Sequence, residues 1–212
     1  MCHTAPAFRF WRASARFSCS TAHAMKKGMR RITLPVALLT SLGIVVLAVA
    51  VLYAMGRPPI CKCGYVRFWG PPDSQHLFDA YTFTHMLHAP FYYLLIWLVD
   101  RGRLSLAKRL LLCVTFEAGW EIFENTPFII NRYRAVTISR DYFGDSIVNS
   151  MADITAMIVG FLLAARLPAW VTVALLIAVE VTLVALIRDN LILNIIMLMH
   201  PSDWLRQWQA GG

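Results

Sequence analysis

The sequence predicts an all-α polytopic membrane bundle of five transmembrane helices, followed by a short C-terminal interfacial or re-entrant helix. Composition is the first observation behind this. Of 212 residues, 58% are hydrophobic and only 15% charged, too little charge for a soluble domain of this size. The second is that the apolar residues gather into runs close to the ~20 residues that cross a bilayer core as a helix. The third is that lysines and arginines crowd the short segments between those runs, where cations set topology and meet anionic lipid. The net charge is +8, but no basic helix or aromatic-studded basic patch accompanies it. Membrane lipids are therefore the expected partners, and nucleic acid is not.

Residues 1–28 read as a leader, and residues 29–212 as a single transmembrane domain. The stretch "MCHTAPAFRFWRASARFSCSTAHA" has arginine, serine and aromatics but no acid and no sustained apolar core. It reads as an over-extended start, with translation beginning at Met25 or Met29, or else as a targeting leader. "MKKGMRRITLP" then supplies the basic flank of a first span at about 32–55, too long for a signal-peptide core. A Gly/Pro-rich loop leads to a second span at about 81–99, and "DRGRLSLAKR" makes a basic turn into a third at about 104–125. The polar loop "TPFIINRYRAVTISRDYFGD" precedes a fourth span at about 146–165, and "RLPAW" joins it to a fifth at about 171–187. "NLILNIIMLMH", at about 190–200, is too short to cross and fits an interfacial or re-entrant helix.

Lysines and arginines divide nine to eight between the two faces, but those beside the ends of the first span and the second-to-third turn lie tightest against apolar runs. That arrangement places the N-terminus in the cytoplasm. Cys61 and Cys63 read as free or transiently oxidised thiols, because a bridge between them would close a small ring.

With this topology most of the unusual polar residues meet on one face. Tyr81, His85 and His88 share one side of the second span, at helical spacing. Glu117, Glu121 and Glu124 lie within an arc of about 60° on the third. Asp145, Asn149 and Asp153 open the fourth at the same spacing. A lipid-facing carboxylate costs at least ~2.5–3.5 kcal/mol, so these groups turn inward, pair, or line a wet cavity. Arg57, Arg67 and Glu180 read instead as ordinary span-end residues.

The expected function is binding of an anionic lipid or lipid-phosphate headgroup in a polar cavity at the periplasmic face. Arg132, Arg134 and Arg140 would hold the anion, Glu121, Glu124, Asp145 and Asn149 would order the site, and Asp141 and His88 would add to the ligand-binding set. If chemistry follows, Glu121 or Glu124 is the expected general base and His85 its partner. A small proton-coupled transporter using Glu117, Glu121, His85 and His88 is an alternative, in which a homo-oligomer would compensate for the small size. A structural assembly factor is another. His85, His88, Glu121 and Glu124 are also the candidate metal ligands, but neither His-Glu-x-x-His nor a Glu-x-x-His pair is present, so no metal or other cofactor is assigned. Ser74, His76 and Asp79 make a weaker Ser–His–Asp set, without a nucleophile elbow.

"CKCGYVRFW", "SQHLFDAYTFTHMLH", "GWEIFENTPFIINRYRAVTISRDYFGDSIVNSMAD" and "IRDNLILNIIMLMHP" resemble an uncharacterised family of bacterial multi-pass inner-membrane proteins of the UPF/DUF type. The resemblance covers Leu34 to Ala210 and implies a location in the bacterial inner membrane, with no activity attached. A looser likeness is to VanZ-like membrane proteins, through Glu121, Arg132 or Arg134, Asp141 or Asp145, and Asn149. It implies cell-envelope or lipid-linked work. The inserted "GDS" and the second acid Asp153 depart from that pattern.

Overall fold

The structure, a computed structural model, describes residues 34–211. The leader at 1–28, the starts at Met25 and Met29, and the basic flank from Lys26 to Arg31 lie outside the described residues. Within them the chain is helical, with a single isolated β-bridge between Trp69 and Phe78.

The helix α1 (Leu34–Ala54) is apolar all round. Ala37, Ser41, Ala48 and Leu52 turn inward, while Leu39, Val46, Leu47 and Tyr53 are exposed. The helix α2 (Thr82–Asp100) tolerates Pro90 and ends at Arg101 in the left-handed region. Asp100 closes the turn by accepting the N–H groups of Gly102 and Leu104 at 2.9 and 2.7 Å. The same carboxylate meets the buried Arg109 of α3 (Leu106–Glu124) at 3.3 Å, and Arg109 also donates to the Tyr93 hydroxyl at 2.7 Å. Arg109 is thus an internal tie and not a cation reaching for the membrane surface.

The segment expected as a polar loop contains the helix α4 (Pro127–Val136). Thr126 caps its first turn and Pro127 occupies the first helical position, where a missing N–H costs nothing. Ser146 starts α5 (Ile147–Arg166) in the same way, and Pro168 precedes α6 (Ala169–Ile187). Two short helices close the chain, α7 (Leu191–Met199) and α8 (Asp203–Gln209), the latter also unanticipated. Glu180 lies seven residues before the end of α6 and accepts the N–H groups of Leu191 and Ile192 at 3.3 and 3.2 Å. The start of α7 is therefore folded back beside α6, with a carboxylate on the positive end of its dipole.

Among the described residues, three helices are long and apolar enough to cross a membrane: α1 from Pro35, α5 and α6. The sequence led us to expect five. The helices α2 and α3 carry the inward-facing charged and histidine residues that dilute their apolar character.

The core is built where α2 packs on α5 and α3 packs on both α1 and α5. Tyr93 and Ile96 of α2 meet Cys113 and Val114 of α3 and Met157 and Phe161 of α5. The crossing of α2 with α5 is tight at Gly160, where a Cβ would run into the Met86 carbonyl oxygen. One end of this bundle is roofed by the loop 57–81. Pro58 and Pro59 carbonyls accept the first free N–H groups of α5 at 2.9 and 3.1 Å, and Gln75 donates to the Gly144 carbonyl at 2.7 Å. Cys61 and Cys63 in this roof form a disulfide, where the spacing led us to expect free or transiently oxidised thiols. The two-residue separation is bridged because their Cα atoms lie 5.1 Å apart, within ordinary disulfide reach.

Candidate functional site

Beneath the roof, α2, α3 and α5 bring their polar faces together. His85 Nδ1 lies 2.7 Å from Glu117 Oε1 and 3.2 Å from Glu121 Oε1. His88 Nδ1 reaches the same Glu117 carboxylate, at 3.0 and 3.2 Å from its two oxygens. On the other side of the His85 ring, Nε2 stands 3.8 Å from Asp153 Oδ2 of α5. Glu117, Glu121 and Asn149 are fully buried, and Asp153 is 3% exposed.

The hydrogen bonding of this cluster is one-sided. Glu117 receives two imidazoles. Both oxygens of Glu121, both polar atoms of the Asn149 amide, Glu124 Oε2 and Asp153 Oδ1 are buried without a hydrogen-bond partner. Buried polar groups are nearly always paired, and each unpaired one costs about 1–3 kcal/mol. A cluster built only to lock helices together would pair them.

A cavity of about 240 Å³ lies against this cluster. His85, His88, Glu124, Arg140, Asp141 and Asp145 contribute to its wall. Tyr81, Tyr133 and Tyr142 add hydroxyls, and Trp120, Ile195 and Leu198 add an apolar side. Asp145 accepts hydrogen bonds from Asn125 at 2.6 Å and from the Tyr142 hydroxyl at 2.9 Å. Burial raises the Asp145 carboxyl above its ordinary value, with those two donors working against the rise. Burial, reinforced by Asp145, also raises the Tyr142 phenol, so its hydroxyl stays a donor. At the roof, burial pushes Asp79 up to about 6 although it accepts the N–H groups of Ser74 and Tyr81.

Not every expected residue is here. Arg132 points away and clamps the Leu198 carbonyl at the end of α7, through Nε at 3.0 Å and Nη2 at 2.8 Å. Arg134 is exposed and donates to the Arg140 carbonyl at 3.1 Å. Neither lines the cavity, and the fully buried Asn149 and Glu121 do not line it either. Ser74, His76 and Asp79 do not form a catalytic set. His76 Nδ1 accepts from the Arg67 backbone at 3.3 Å, its ring stacks on Tyr65, and Asp79 bonds the backbone of Ser74.

Sequence reasoning placed Tyr81 on this face but missed Tyr133, Tyr142 and the wall supplied by α7. The Thr126–Pro127 cap was the available signal for Tyr133, because a helix from Pro127 sets its direction. Two groups in the cluster have ligand atoms close enough to share a metal ion: His85, His88 and Glu117, and His85, Glu121 and Glu124. A third, Cys61, Cys63 and His76, has its two sulfurs committed to each other.

Comparison with known proteins places this arrangement. The family model described as "Protein of unknown function (DUF2585)" matches residues 52–211. A UPF0314 protein of Rhizobium meliloti (strain 1021) is 50% identical over 179 residues, covering 82% of this chain and 90% of that protein. A UPF0314 protein of Paracoccus denitrificans (strain Pd 1222) is 49% identical over 173 residues, covering 79% and 89%. One from Agrobacterium fabrum is 46% identical over 172 residues, covering 79% and 86%. No solved structure matches. The chain, its roof, and the helices that carry the His–Glu cluster therefore belong to the DUF2585 family of UPF0314 proteins.

Proposed function

We propose that this is an integral inner-membrane protein whose cavity binds the polar head of an anionic or phosphate-bearing lipid. In this reading α2 and α3 cross the bilayer together with α1, α5 and α6. Each has 19 residues, roughly 28 Å of helix. Their charged groups face the bundle, while Phe91, Leu94, Leu98 and Phe116 face outward. The N-terminus lies in the cytoplasm and the roof and cavity on the periplasmic side, the orientation favoured by the basic turn at 101–109.

The observation that carries the reading is the coincidence of buried, unpaired polar atoms with an amphipathic cavity. An apolar wall of Trp120, Ile195 and Leu198 suits the acyl side of such a ligand, and the hydroxyls of Tyr133 and Tyr142 suit its head. Of the three arginines expected to hold the anion, Arg140 alone lines the cavity, facing Glu124, Asp141 and Asp145. An anion on this wall therefore needs a second cation beside it.

Native mass spectrometry of the detergent-purified protein tests the reading. We expect co-purified phospholipid on the wild type, and at least a several-fold lower occupancy on Arg140→Gln. Lipid-free wild type in a folded state, or equal occupancy on the variant, refutes it.

One observation favours a second reading. Asp153, His85, Glu117 and His88 stand in sequence within ion-pair distance, as a proton relay would. Proton flux in proteoliposomes that vanishes in Glu117→Gln would shift the assignment to transport.

A further inference from the structure

We propose that His85, His88 and Glu117, with Glu121 as fourth ligand, bind one divalent transition-metal ion at the floor of the cavity. The proposal goes beyond headgroup binding and stands without it.

The donor geometry comes first. His85 Nδ1, His88 Nδ1 and the Glu117 carboxylate are separated by 2.7 to 3.2 Å where they meet, and Glu121 Oε1 lies 3.2 Å from the same His85 nitrogen. Neighbouring ligands around a tetrahedral ion with bonds of about 2.0–2.1 Å stand roughly 3.3 Å apart. His85, His88 and Glu117 need only small movements to surround such an ion, and Glu121, beside His85, completes the set by a larger one.

Proton-sharing alone does not satisfy this arrangement. Both imidazoles present Nδ1 to Glu117, while Glu121, fully buried one helical turn away, receives no hydrogen bond at either oxygen. Among the described residues, no lysine or arginine forms an ion pair with Glu117, Glu121, Glu124 or Asp153. The nearest buried arginine along α3, Arg109, is committed to Asp100 and Tyr93. A divalent cation between the two glutamates would meet the carboxylate to which the histidines give no hydrogen bond.

The surroundings fit as well. Metal-bound histidines commonly present the other ring nitrogen to a carboxylate, which fixes the ring. Asp153 stands on that side of His85, with Oδ2 3.8 Å from Nε2, at ion-pair distance and within a small shift of that role. His85 and His88 are also part of the cavity wall, so an ion held by them has an entry path and one side open to a ligand. Two imidazoles with two carboxylates suit Zn²⁺, Mn²⁺ or Fe²⁺, rather than the all-oxygen shells of Mg²⁺ and Ca²⁺ or a thiolate site.

The test is metal content of the full-length protein in detergent, loaded separately with Zn²⁺, Mn²⁺ and Fe²⁺, desalted, and measured by elemental mass spectrometry. We expect about one ion per chain for at least one of these metals. Glu117→Gln and His88→Gln should abolish retention, and Asp153→Asn should weaken affinity roughly 10- to 100-fold. His200→Gln, at an exposed histidine outside the cluster, should retain the ion. Folded wild type that keeps less than about a tenth of an equivalent of every metal overturns the proposal, as does full retention in both ligand variants. Should those variants fail to fold, X-ray absorption of the Zn²⁺-loaded wild type decides. Imidazole scattering at about 2.0 Å supports the site, and a shell of oxygen alone overturns it.

Discussion

At the scale of single residues, the glutamates of α3 divide into two kinds. Glu117 is hydrogen-bonded by two histidines, whereas Glu121, one turn on and equally buried, lies 3.2 Å from His85 Nδ1 but receives no hydrogen bond. Their spacing was readable in the sequence, because a helix repeats every 3.6 residues and any such set shares a face. The arginines were not readable in this way. Arg132 and Arg134 end on the backbone carbonyls of Leu198 and Arg140, and a carbonyl partner leaves no mark in a sequence. Asp79, in the roof, carries a prediction of its own. Burial raises it to about 6, so its protonated form is favoured in the folded protein relative to the unfolded chain. The stability it confers is complete below about pH 4 and is lost as pH rises through about 6. Asp189, where α6 meets α7, is also raised to about 6 by burial and adds a fall of the same sign. Thermal unfolding of the purified protein should show melting temperature falling between pH 4.5 and 7, with a shallower fall in Asp79→Asn. An unchanged slope in that variant would contradict the assignment.

Among the elements, long helices were legible and short ones were not. Apolar runs of about 20 residues mark α1, α5 and α6 unambiguously. The α4 segment mixes Asn131, Arg132 and Arg134 with its apolar residues, so its cap at Thr126–Pro127 outweighs composition. Glu180 also shows how a structural role hides. It sits in an apolar run, yet serves to cap α7 folded back beside it. At the α2–α5 crossing, close approach depends on Gly160. Gly160→Leu must push α5 away from the Met86 carbonyl and is expected to cost about 1–3 kcal/mol or more as overpacking. For a chain of this size that corresponds to a melting temperature lower by several degrees, at roughly 2–4 °C per kcal/mol. A variant with the wild-type melting temperature would show that the crossing is loose.

For the whole molecule, the division of labour runs between a lipid-compatible exterior and an ionisable interior. The exterior follows directly from composition. The interior depends on which helices touch, and neither helical period nor hydropathy supplies that pairing, so α2 against α5 emerged only from the structure. The central claim is that the cluster exists to receive a ligand and not to hold the bundle together. The two roles predict opposite consequences for Glu121. A lock loses stability when broken, whereas a buried carboxylate that receives no hydrogen bond is a cost that neutral glutamine relieves. The melting temperature of chelator-treated Glu121→Gln, compared with chelator-treated wild type in the same detergent, measures this directly. We predict a value equal to or a few degrees above that of the wild type; a fall of several degrees would contradict the claim.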